Sequence, residues 1–133
     1  MGARLSACIV YSPSPVESAA FYERAFGMAR RFASGDGSYA EVGGETPIGF
    51  AAEALVEKGV GAFTKNRRAS APAGVELCIA FDDVDGAYAR AIEAGAVRVA
   101  EPTDKPWGQR VAYVRDVDGV LVELCTPWSP PPS

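Results

Sequence analysis

A chain of 133 residues is long enough for one domain with a real hydrophobic core. With 48% hydrophobic and 23% charged residues it has the balance of a globular protein rather than a disordered one. Its net charge of −4 argues against a nucleic-acid partner, which would need a basic face.

The one basic run, Lys65 to Arg68 (KNRR), is short and sits in a polar stretch, so it reads as a solvated loop. No apolar run is long enough to span a bilayer, and no secretory h-region precedes the first strand, so no membrane partner is expected. Met1-Gly2 with Ser6 fits the loose myristoylation pattern. Because a buried strand begins at once, that match is set aside as chance. Cys8, Cys78 and Cys125 all lie in apolar, strand-like runs. Three such cysteines are expected to be reduced and buried, in a cytoplasmic protein.

In chain order, Arg4 to Tyr11 (RLSACIVY) is strand-like and Ser12-Pro13-Ser14-Pro15 breaks it. Pro15 suits the first turn of a helix with Ser14 as N-cap and Glu17 completing a capping box. The helix carries an apolar stripe to Phe26 and ends at Gly27. Strands follow at 29–33, 38–42 and 47–52, with turns at Gly35-Asp36-Gly37 and Gly43-Gly44. The connecting stretch, 54–73, is the least regular part and holds at most a helical turn at 54–58.

The pattern then returns. Val75 to Phe81 is a strand, Asp82-Asp83 caps a helix from Val84 to Ala94, and Gly95 ends it. Strands are expected at 97–100, 110–115 and 120–126, the last two joined by a turn at Asp118-Gly119. The segments 19–32 and 86–99 share one helix–Gly–strand rhythm, which marks an internal repeat. The expected fold is therefore α+β: one domain over 1–133 built of two βαβββ repeats, about 4–53 and 74–126, with a frayed tail at 127–133. Their strands would form a curved mixed sheet around a cavity, with the helices on the outer face.

In the last strand Leu121, Glu123 and Cys125 share one face, and Val120, Val122 and Leu124 the other. A lone glutamate on an apolar strand needs an explanation, and a cavity supplies one.

Three stretches resemble the vicinal oxygen chelate superfamily of glyoxalase I, extradiol dioxygenases and fosfomycin- and bleomycin-resistance proteins. They are SAAFYERAFG (18–27), DDVDGAYARAIEAG (82–95) and PWGQRVAYVRDVDGVLVELCTP (106–127). The last is the most specific, similar to the family's PWG…A-Y/F-x-RDPDGN-x-V-E-L. It departs from it at Val117 and Val120, both turn positions.

In metal-dependent members, the resemblance implies a divalent ion held by the first and last strands of each repeat. Those positions fall here on Ala7, Glu76 and Glu123, while 47–52 offers no carboxylate or imidazole and Glu53 lies late in register. Ala7 cannot bind an ion, and the chain has no histidine. A site of two Glu and two Cys is conceivable, but Cys78 and Cys125 are read as core. No metal or other cofactor is therefore expected; the alternative is one divalent ion on Glu76 and Glu123.

The resemblance then implies a metal-independent, small-molecule binding protein of bleomycin-resistance type. It would sequester an antibiotic-like ligand, as a homodimer and with no catalytic residue. The alternative is a glyoxalase-like, metal-dependent lyase or isomerase, or a dioxygenase, with a divergent site. A third reading is an accessory module that contacts a protein partner. Candidate ligand contacts are Tyr11, Phe32, Tyr39, Phe50, Glu76, Trp107, Arg110, Tyr113 and Glu123. Two carboxylates in one poorly solvated cavity would share a proton, with Arg110 or Arg115 as counter-charge.

Overall fold

The computed structural model describes residues 2–132. Eleven elements follow in chain order: β1 (Cys8–Ser12), α1 (Pro15–Phe26), β2 (Arg30–Ala33), β3 (Tyr39–Val42), β4 (Ile48–Ala52), α2 (Glu53–Gly59), β5 (Glu76–Ala80), α3 (Val84–Glu93), β6 (Val97–Asp104), β7 (Arg110–Arg115) and β8 (Leu121–Cys125). The chain divides between Asn66 and Arg67 into two compact units. Each is α+β and carries one βαβββ repeat, in two four-stranded sheets rather than one continuous sheet.

In the first unit the strand order is β1-β4-β3-β2, with β1 parallel to β4 and the other pairs antiparallel. Helix α1 packs on all four strands. Beneath it Phe21, Tyr22, Phe26 and Phe50 form an aromatic cluster with ring centroids 5.0 to 6.0 Å apart. Side chains alternate along a strand, so one face is driven into this core and the other is left clear of α1.

The start of α1 differs from the capping box the sequence suggests. Ser14 makes no side-chain cap; its N–H donates to Ser12 Oγ at 3.0 Å, and Ser12 Oγ pairs with Ser18 Oγ at 2.6 Å inside the core. Pro15, which has no N–H to satisfy, occupies the first helical position, and Gly27 closes the helix at φ 70°.

The second unit repeats the plan with order β5-β8-β7-β6, β5 parallel to β8, and α3 on β6, β7 and β8. Here the cap is made as expected: Asp83 accepts from the Gly86 N–H at 3.0 Å. The β7–β8 turn is organised by Asp116, which is fully buried and accepts from the N–H groups of Asp118 and Val120 at 2.8 and 2.9 Å. Gly119 takes φ 98°, and a Cβ there would lie 2.5 Å from the Arg67 carbonyl oxygen.

Three boundaries shift. β1 begins at Cys8 rather than Arg4, β6 runs four residues past Ala100 to Asp104 against β7, and the expected turn at 54–58 is α2, packed on β4 and β1. Among the described residues no helix is long and apolar enough to cross a membrane.

Candidate functional site

In the second sheet, Leu77, Val122, Leu124, Ala112 and Val114 turn toward α3 and are buried. The alternate positions form the helix-free face: Glu76 and Cys78 on β5, Leu121, Glu123 and Cys125 on β8, Tyr113 and Arg115 on β7. Register brings three of these together, because Glu123 lies opposite both Cys78 and Tyr113.

Glu123 is the hub. One carboxylate oxygen accepts the Tyr113 hydroxyl at 2.8 Å, and the other accepts the Cys78 thiol at 3.0 Å. The Cys78 and Cys125 sulfurs are 3.4 Å apart. Partial burial pushes the Glu123 carboxyl up, but hydrogen bonds from Cys78, Tyr113 and Glu76 outweigh it and the net shift is downward. Glu76 shifts upward through loss of water and then through the neighbouring Glu123 carboxyl. Burial, and then the hydrogen bond to Glu123, also push up the Cys78 thiol and the Tyr113 phenol.

The first sheet presents a different helix-free face. Tyr11 and Tyr39 flank Ala51, and Tyr11 stacks edge-on against Phe63 with centroids 4.8 Å apart. Tyr39 donates to Glu41 at 2.5 Å, and its phenol is pushed up to about 12 by burial and by that carboxylate. Phe32 is half exposed, with its ring 6.3 Å from that of Tyr39.

The remaining expected contacts lie elsewhere. Phe50 points to the other face of β4, is fully buried and packs on Tyr22, so it is a core side chain. Arg110 turns to the α3 side, where it is held by Asp85 at 3.0 Å and Asp104 at 3.1 Å; the Asp85 carboxyl is lowered first by that hydrogen bond. Arg115 donates to the carbonyls of Gly119, Arg67, Arg68 and Ser70. Neither arginine is a counter-charge for Glu76 and Glu123, because backbone oxygens and other carboxylates already engage them. Trp107 stands exposed on the β6–β7 turn, donates to Gln109 at 2.7 Å and lines an open groove of about 490 Å³ with Trp128.

Cys78 corrects another expectation: it is exposed, and only Cys125 of the three thiols is buried. The alternation that placed Glu123 on the helix-free face places both cysteines there too, and that signal was available in the sequence.

The positions implied for a shared divalent ion can be read from the same register. Ala7 lies eight residues before the start of α1, as Glu76 lies eight before α3. Gly49 lies opposite Ile9 as Glu123 lies opposite Cys78. Neither Ala7 nor Gly49 has a ligand atom. A Cβ on Gly49 would sit 2.8 Å from Ile9 Cδ1 and 2.9 Å from Tyr39 Cζ, so any side chain there must displace Tyr39 or Ile9. Glu53 begins α2 and is buried. These residues do not fit the shared ion.

A family model described as the Glyoxalase/Bleomycin resistance protein/Dioxygenase superfamily matches residues 4–124. Nothing among curated proteins matches. Solved structures share the fold at low identity. A glyoxalase-related enzyme from Fulvimarina pelagi is 19% identical with a TM-score of 0.78, covering 93% of this chain and 88% of its own. A glyoxalase/bleomycin resistance protein/dioxygenase family enzyme from Burkholderia phytofirmans PsJN is 21% identical with a TM-score of 0.79, over 93% and 98%. TioX from Micromonospora sp. ML1 is 24% identical with a TM-score of 0.66, over 93% and 98%.

Proposed function

The chain belongs to the glyoxalase/bleomycin resistance protein/dioxygenase superfamily, and within it we propose that this protein binds a small, antibiotic-like organic molecule and sequesters it unchanged. One observation carries the reading. On the helix-free face of β5, β7 and β8, the Glu123 carboxylate accepts from Tyr113 and Cys78, and Glu76 shares that face. The Glu123 carboxylate, with the upward-shifted Glu76 carboxyl as its neighbour, offers acceptors to an amide-rich or cationic ligand.

Two features favour holding over transforming. The shared ion of the superfamily has no donors at Ala7 and Gly49, so its oxygen-chelate chemistry lacks half of its ligands. The thiol of Cys78, the nucleophile on this face, is pushed up by partial loss of water and by its hydrogen bond to Glu123, which disfavours the reactive thiolate. The aromatic surface of Tyr11, Phe32 and Tyr39 on the first sheet suits planar groups, each good stacking pair adding about 0.5–1.5 kcal/mol. The reading includes a homodimer, which sedimentation equilibrium decides.

The test is calorimetry of the protein in EDTA against metal-free bleomycin and a panel of planar antibiotics. At least one should bind with a Kd of about 1 μM or tighter and be recovered unchanged by mass spectrometry. Glu123→Gln and Tyr113→Phe should each weaken it at least about tenfold. Silence across the panel, or variants that bind as well as the parent, would remove the reading. Conversion of the ligand would replace it with the glyoxalase-like or dioxygenase alternative.

A further inference from the structure

Cys78, Cys125 and Glu123 place two sulfurs and a carboxylate oxygen within 4.8 Å of one another on the helix-free face of the second sheet. The shared ion of the superfamily would draw carboxylates and imidazoles from both repeats. This trio needs only β5 and β8, and two of its three donors are soft. From this geometry we infer that the second repeat carries a site for a thiophilic divalent ion, zinc or cadmium, ligated by Cys78 Sγ, Cys125 Sγ and a Glu123 carboxylate oxygen. The inference does not depend on the small-molecule reading.

The dimensions suit such an ion. Bonds of about 2.3 Å to sulfur and about 2.0–2.2 Å to oxygen at tetrahedral angles set donors apart by about 3.5 to 3.8 Å. The Cys78–Cys125 and Cys78–Glu123 separations are 3.4 and 3.0 Å, so each of these two pairs opens by well under 1 Å to admit an ion, and all three donors already lie within 4.8 Å of one another. Strand register maintains the arrangement. Cys78 is paired with Glu123 across the parallel β5–β8 ladder, and Cys125 lies two residues further along the same face. Cys78 is exposed, which gives an ion a way in.

Charge balances as well. Without an ion, the two thiols are neutral and Glu123 carries one negative charge. Entry of a divalent cation releases two thiol protons to solvent, and the two new thiolates offset the two positive charges, so the net charge of the cluster is unchanged. Two sulfur donors select zinc or cadmium over magnesium, calcium or manganese, which prefer oxygen. The ion is also the proper alternative to a disulfide for this sulfur pair, since either one removes the close thiol–thiol contact.

The experiment uses the full chain, fully reduced and stripped of metal, titrated with cadmium with no organic ligand present. One equivalent should bind and produce the ultraviolet thiolate-to-cadmium charge-transfer band, and zinc should reverse it while magnesium does not. Cys78→Ser, at an exposed position, should lose the band and weaken binding at least about a hundredfold, beyond what changes around a metal's ligands usually cost. Glu123→Gln should keep the band and weaken binding, and Cys8→Ser should behave as the parent. Circular dichroism of each variant separates loss of the site from loss of the fold. No band in the parent, an undiminished band in Cys78→Ser, or equal displacement by magnesium would overturn the inference. Because the ligand calorimetry runs in EDTA, either result can fail while the other stands.

Discussion

Gly49 holds in the first sheet the register position that Glu123 holds in the second: it faces Ile9 across β1 and β4, as Glu123 faces Cys78 across β5 and β8. In the second sheet this place is the hub of a polar cluster. In the first, the Tyr39 ring and Ile9 lie over the bare glycine. Gly49→Ala should therefore cost about 1–3 kcal/mol by overpacking, read as a lower urea midpoint at unchanged m-value. Tyr39→Ala in the same chain should recover much of that loss, because it removes the ring the new methyl strikes. Equal costs with and without Tyr39 would mean that something other than this contact closes the position.

Asp116, itself fully buried, governs the β7–β8 turn by accepting from two backbone N–H groups, those of Asp118 and the buried Val120. Asp116→Ala leaves both without this acceptor and should destabilise by about 2–4 kcal/mol. Asp116→Asn keeps an oxygen in the same place and should retain more than half of the difference. If Asn and Ala cost the same, the carboxylate charge rather than the two hydrogen bonds holds the turn.

The strands and helices of both repeats were legible because α1, α3 and the final hairpin carry strong local signals: Pro15 and Gly27 at the ends of one helix, Asp83 and Gly95 around the other, Asp118-Gly119 between strands. Less local choices were not legible. Ser14 reads as a cap by its neighbours, yet Ser12 reaches Ser18 inside the core and changes how the helix begins. Parity placed Glu123, Cys78 and Cys125 on one face, but composition alone made the cysteines look like core, and only the packing shows Cys78 exposed. Arg110 and Phe50 each lie on a strand that also carries candidate contacts or their neighbours, so sequence distance could not separate them from the helix-free face of their own sheet. The side of the sheet each takes is decided by Asp85 on α3 and Tyr22 on α1.

The β2–β3 turn supplies a pH dependence with a defined direction. Asp36 accepts from the Ser38 N–H at 3.0 Å and from the Ser38 and Ser34 hydroxyls at 2.8 Å, and these hold its carboxyl at about 2 against an ordinary 3.8. The folded value is below the unfolded one, so the contribution is complete above about pH 4 and is lost as pH falls through 2. Asp36→Asn should lower the melting temperature by a constant amount from about pH 7 to pH 5, and the gap should close toward about pH 2. A gap that persists unchanged in acid would show that the carboxylate charge contributes nothing to the turn.

Phe50 separates core from site within a single strand. It is fully buried with its ring 5.0 Å from that of Tyr22, while its neighbours Gly49 and Ala51 belong to the opposite face. Removing the ring leaves a cavity among Phe21, Tyr22 and Phe26 that these side chains refill only in part. Phe50→Ala should therefore cost about 3–5 kcal/mol, and Phe50→Leu, which keeps more of the volume, clearly less. Because the loss is confined to the α1 side of the first sheet, cadmium binding to the folded fraction of Phe50→Leu should match the parent. A Phe50→Leu protein as stable as the parent would contradict its place in the core. A folded Phe50→Leu protein that binds cadmium about tenfold more weakly would show that the first sheet's core is coupled to the Cys78–Glu123 cluster.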